Sequence, residues 1–155
     1  MTLCNEMMQL IIHARRSVER LADEYHDWGP NLAGYCGIAS RFLINLGKRN
    51  GIHNMRLVCG TFDDNTHCWV EYDGFCLDIT ITQFNGFQNK AYRICMIDSD
   101  FYREHYMPAI IGHSAVKQQK QWELGQDYES CATILWQIHK RNYINECNGL
   151  LFVKQ

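Results

Sequence analysis

The sequence predicts a single α+β domain that runs helix, helix, antiparallel sheet, helix. Three observations predict it. Apolar residues recur at three- and four-residue steps through two early segments. Short β-rich runs punctuated by turn residues follow. A long periodic segment near the C-terminus then returns to helical spacing.

Leu3 to Tyr25 is expected to form the first helix. Leu10, Ile11, Ala14, Val18, Leu21 and Ala22 make its apolar stripe, with Arg15, Arg16, Glu19, Arg20 and Asp23 mostly on the other side. Asp27-Trp28-Gly29-Pro30-Asn31 breaks that pattern. The second helix runs from Gly34 or Cys36 to Asn50 and buries Ile38, Ala39, Phe42, Leu43 and Leu46. Lys48 and Arg49 suit the negative end of its dipole, and Gly51 sits where a left-handed cap belongs. Met55–Phe62, Thr66–Tyr72 and Phe75–Ile81 read as strands, joined by Asp63-Asp64-Asn65 and by Asp73-Gly74, the strongest hairpin signal in the chain. Tyr92–Ile97 is a fourth strand. Asp100–Ile111 is expected to be helical, as is Tyr128–Glu146, with Cys131, Ile134, Leu135 and Ile138 on its apolar side; Leu150–Val153 would pack the terminus down.

At 155 residues the chain fits one domain spanning 1–155, large enough to bury about two thirds of its unfolded surface. A net charge of −2 with no basic run gives no case for nucleic acid. No apolar run approaches the length of a membrane span. Eight cysteines are too sparse for a disulfide scaffold, so most are expected to be reduced core residues in a cytoplasm-like compartment. The first residues show neither the basic nor the apolar region of a signal peptide; a secreted or injected effector without such a signal is the alternative. Neither a CxxC pair nor an HxxxH or HExxH spacing occurs, so no metal and no cofactor is expected, and a zinc-binding structural module is the weaker reading.

Three residues stand out by position. Cys36 lies in Gly34-Tyr35-Cys36-Gly37, after a chain break and at a helix start, where the dipole and unpaired amides stabilise a thiolate. If Asp73-Gly74 closes a two-residue turn, Tyr72 faces Phe75, Trp69 faces Asp78 and His67 faces Thr80. His67, Trp69, Asp78 and Thr80 then share one face. Asp78 lies diagonal to His67, about 7–8 Å away at the backbone and within reach of its imidazole. Cys68, Val70, Tyr72, Phe75, Leu77 and Ile79 collect on the opposite, core face. The chemistry this arrangement suits is acyl transfer: Cys36 attacks, His67 moves the proton, and Asp78 orients the imidazole. The Cys36 backbone amide would hold the oxyanion, with Asn31 or Tyr35 as the second donor and Trp69 as a substrate contact.

The segment Gly34–Ala39 resembles the nucleophile helix of papain-like and transglutaminase-like cysteine enzymes. Thr66-His67-Cys68-Trp69-Val70-Glu71-Tyr72 is similar to their His-x-Trp-Val-Glu strand, and Leu77-Asp78-Ile79-Thr80 to the Asp strand that follows. The order Cys, His, Asp is also theirs. The resemblance covers Asn31 to Gln83. It implies a papain-like/transglutaminase-like core, with the cysteine helix packed on an antiparallel sheet. It also implies a thiol hydrolase or acyltransferase acting on a protein or peptide amide: a cysteine protease, a glutamine deamidase or a transglutaminase. No proline follows Asp78, where many transglutaminase-like members carry one, and this leaves the subfamily open. The reading from a different class is a non-enzymatic interaction domain that retains the fold.

Overall fold

The computed structural model of the protein describes residues 3–25, 32–122 and 128–146. Within them lie helix α1 (Asn5–Tyr25), helix α2 (Cys36–Arg49), and strands β1 (Arg56–Phe62), β2 (Asn65–Tyr72) and β3 (Phe75–Asp78). A short 3-10 turn (Ile81–Gln83) precedes strand β4 (Arg93–Met96), helix α3 (Asp100–His105), strand β5 (Tyr106–Ile111), helix α4 (His113–Trp122) and helix α5 (Tyr128–Glu146). The five strands form one antiparallel sheet in the order β4-β3-β2-β1-β5. The architecture is α+β.

Helices α1, α2 and α5 cover one face of this sheet. Leu10, Ile11, Ala14, Val18 and Leu21 of α1 meet Ile38, Phe42, Leu43 and Leu46 of α2 and Leu135 and Ile138 of α5, over Val70, Phe75, Leu77 and Ile79. Each such Leu, Ile, Val or Phe side chain removed from water contributes about 1.5–3 kcal/mol before entropy is counted. The other face is not solvated. Val58, Phe62, Trp69, Cys76, Ile81, Tyr102 and Tyr106 form a second cluster there, with Phe84, Phe87 and Phe101 at its margin. None of the described helices is long and apolar enough to cross a membrane.

The β2–β3 hairpin has the register expected from its turn: Tyr72 pairs with Phe75, Glu71 with Cys76 and Val70 with Leu77. Asp73 and Gly74 both take positive φ, 49° and 80°, the conformation that matches the twist of the flanking strands. Strand β3 is shorter than the expected Phe75–Ile81. It stops at Asp78 because the Thr80 amide donates to the Asp78 carboxylate at 3.1 Å and turns the chain away. Thr80 therefore does not pair with His67.

Two other expectations need correction. Asp100–Ile111 is a helix only as far as His105, capped by Ser99, whose hydroxyl accepts from the Tyr102 amide at 3.2 Å; Tyr106–Ile111 is an edge strand beside β1. Pro108 is tolerated because an edge strand has one unpaired side. Arg15, expected on the outer side of α1, is buried. Its Nη1 donates to the Ile79 carbonyl at 2.9 Å, to Thr82 Oγ1 at 3.0 Å and to the Ala91 carbonyl at 2.6 Å. Helix α4 was not foreseen. Asn31, Cys147 and Leu150–Val153 lie outside the described residues.

Candidate active site

Helix α2 begins at Cys36. Tyr35 is its N-cap and supplies no side-chain cap, and the Tyr35 carbonyl accepts the helical bond from the Ala39 amide at 2.8 Å. The amides of Cys36, Gly37 and Ile38 thus belong to the open first turn, whose donors have no partner inside the helix. Cys36 is half-buried there, packed with Leu57, Cys59, Cys68, Ala115 and Val116.

Asp78 and His67 are buried, at 1% and 0% exposure, so their polar atoms must find partners inside the protein. His67 Nε2 and Asp78 Oδ2 are 2.8 Å apart. The same carboxylate oxygen accepts from the Tyr106 hydroxyl at 2.8 Å, and Oδ1 accepts from the Thr80 amide. Burial first, then the charge of Asp78, push the Tyr106 hydroxyl far above its ordinary value, so it stays protonated and donates. With Nε2 committed to Asp78, His67 has Nδ1 left for proton exchange. The Gln83 side-chain amide stands 3.0 Å from that nitrogen and 3.3 Å from Thr80 Oγ1.

Burial alone would lower the His67 pKa, but the Asp78 carboxylate and the Cys36 sulfur outweigh it and raise it from 6.5 to about 10. For Cys36 the largest effect is a hydrogen bond from the Cys68 thiol, which lowers its pKa. Burial opposes it, and a hydrogen bond and charge from His67 carry the net shift well below the ordinary thiol value. Cys68 moves the other way, raised first by its bond to Cys36, and remains a protonated donor. Both shifts favour a thiolate on Cys36 and a protonated His67.

The structure brings Cys36, His67 and Asp78 together. It places Tyr35 and Trp69 differently from the expectation. Tyr35 is fully buried within the helical core cluster, and Trp69 is fully buried against Tyr106, with ring centroids 4.9 Å apart; neither lines an open surface. Asn31 is not among the described residues. Sequence reasoning missed Tyr106, Gln83, Cys68 and Arg15. Tyr106 was hidden by the helical reading of its segment. The other three show no local pattern, although Gln83 lies only five residues beyond Asp78. The seven described cysteines are all free. No family model, no curated protein and no solved structure matches the chain.

Proposed function

We propose that the protein is a cysteine-dependent acyl-transfer enzyme with a Cys36-His67-Asp78 triad, acting on a peptide or protein amide. The observation that carries this reading is the buried His67–Asp78 pair at 2.8 Å, with the imidazole, whose Nδ1 also meets the Gln83 amide, beside Cys36 at the open start of α2. A carboxylate buried for packing alone would be costly. Here it holds one imidazole tautomer and orientation, which is what a Cys-His nucleophile requires. A nucleophile helix laid on an antiparallel sheet, with Cys, His and Asp in that chain order, further supports a papain-like/transglutaminase-like reading of the α+β fold.

In this mechanism the Cys36 sulfur bonds to the amide carbon and the carbonyl electron pair moves to oxygen. His67 gives its Nδ1 proton to the departing nitrogen, and the carbon–nitrogen bond breaks to leave a thioester. Water or an amine then attacks the thioester carbon as His67 takes its proton; the carbonyl re-forms, the carbon–sulfur bond breaks and Cys36 leaves as the thiolate. Water gives a protease or a glutamine deamidase; an amine gives a transglutaminase.

The test is an acylating amide probe mapped to a single cysteine, followed by a screen that separates peptide cleavage, ammonia release and amine incorporation. Capture on Cys36 with one of these products is expected. A Cys36 that no acyl donor modifies under any condition would overturn the reading.

A further inference from the structure

Attack on an amide builds negative charge on the carbonyl oxygen, and a competent site presents two donors to it. The open first turn of α2 supplies the first. The structure points to the second: we propose that the side-chain amide of Gln119, on α4, is the other oxyanion donor. This inference deepens the acyl-transfer reading and rests on it.

Helix α4 lies against the start of α2, where Ala115 and Val116 pack with Cys36. One turn further along, Gln119 is only 5% exposed. Its side chain fills the space that a side chain at Gly37 would take. A Cβ built on Gly37 would sit 2.6 Å from Gln119 Cγ and 2.7 Å from Cδ, and closer still to Nε2. In a helix the Cα–Cβ bond tilts toward the N-terminus, so a group in that space lies alongside the open first turn that Cys36 begins.

The amide is also oriented. Arg41 Nη1 donates to Gln119 Oε1 at 3.2 Å; a guanidinium has only donors, so the oxygen must face it and the NH2 is turned to Gly37. Arg41 is itself braced by Glu129 Oε1 at 2.7 Å and by the Tyr128 ring, 4.6 Å from its carbon to the centroid. Among the described residues, Gln119 Nε2 has no acceptor. An amide donor left open beside Gly37, one residue along the chain from the nucleophile, is what a developing oxyanion needs, and Gly37 is the residue that admits it. A glutamine present only to fill volume would be replaceable by methionine without chemical consequence.

Two probes of Cys36 separate these roles. p-Nitrophenyl acetate acylates the sulfur: the carbon–sulfur bond forms through an oxyanion, the bond to p-nitrophenolate breaks, and the released p-nitrophenolate is measured as a burst. Iodoacetamide alkylates the same thiolate with loss of iodide and forms no oxyanion. In Gln119→Met the acylation rate should fall by about 10²-fold while alkylation holds. Gly37→Ala keeps Gln119 but evicts its amide, and alanine suits a helix better than glycine; its acylation should fall in the same selective way. Wild-type acylation in Gln119→Met, or equal losses in acylation and alkylation by both variants, would overturn the assignment of Gln119. A wild-type Cys36 that is alkylated but never acylated would instead remove the acyl-transfer reading, and this inference with it.

Discussion

The two halves of the site are held in opposite ways. His67 and Asp78 belong to one hairpin: they are eleven residues apart, set by a two-residue turn, and locked by a bond of 2.8 Å. Cys36 is positioned by elements scattered along the chain, in one packed cluster with Cys68 from β2 and Ala115 and Val116 from α4. The first half is local register; the second is tertiary packing. The contrast shows where damage should be chemical and where it should be structural.

The largest effect is expected at the packed half. Cys36→Ala should abolish turnover of any amide substrate and selective low-pH labelling, with the fold kept, because alanine fits a helix start. Substantial turnover in a folded Cys36→Ala variant would place the nucleophile elsewhere.

At the local half, Asp78→Asn keeps shape but removes the charge that holds the His67 tautomer, so turnover should fall by at least about 10²-fold. Leu77→Ala, one residue away on the helical face, should act through stability, costing about 2–5 kcal/mol in the denaturation midpoint. An active Asp78→Asn beside a folded but silent Leu77→Ala would invert the assignment of the two faces.

The coupling between the halves is readable in the pH dependence of stability. In the folded protein the proton resides on His67, raised from 6.5 to about 10, and is absent from Cys36, lowered well below 9.0. While folded Cys36 stays deprotonated, the unfolded chain between about 6.5 and 9 also binds one proton, on the thiol, and these two groups give no net slope. Below 6.5 the unfolded imidazole takes up a proton that the folded pair does not, and stability falls as pH falls. Above 9 the unfolded thiol loses its proton while folded His67 keeps its own, and stability falls as pH rises through about 10. Removing the thiol in Cys36→Ala leaves His67 with Asp78 alone, so the alkaline decline should begin near 6.5 instead of near 9. Midpoints measured from pH 5 to 10.5 for both proteins check this; superimposable alkaline limbs would show that the pair is not coupled.

The smallest effect is expected from Tyr106→Phe. It removes one of the three donors on Asp78 and leaves the ring packed on Trp69. The cost should be about 1.5–3 kcal/mol of stability, as for a bond to a charged group, with turnover reduced far less than in Asp78→Asn. A loss as large as that of Asp78→Asn would move the phenol from a supporting role to the chemistry itself.

Much of this was legible because it is local. The apolar periods of α1, α2 and α5 mark helices whose bounds fall close to the expected ones, and Asp73-Gly74 sets the register that puts His67 and Asp78 on one face. What was not legible involves partners far apart in sequence. Arg15 reads as one more charge on an amphipathic helix until Ile79, Thr82 and Ala91 are seen around its guanidinium. Tyr106–Ile111 carries no clear alternation, since as an edge strand its residues are mostly exposed, and its strand character comes from β1 beside it.

The sequence by itself determined the helices, the β2–β3 hairpin and the identity of three residues suited to thiol chemistry, because backbone preferences and side-chain periods act over a few residues. Only the tertiary structure decided what stands around Cys36: the Cys68 thiol at its sulfur, Gln83 at His67, and α4 at the start of α2. Those choices depend on which surfaces exclude water together, and burial of that kind is set by packing across the whole chain rather than by the pattern of any one segment.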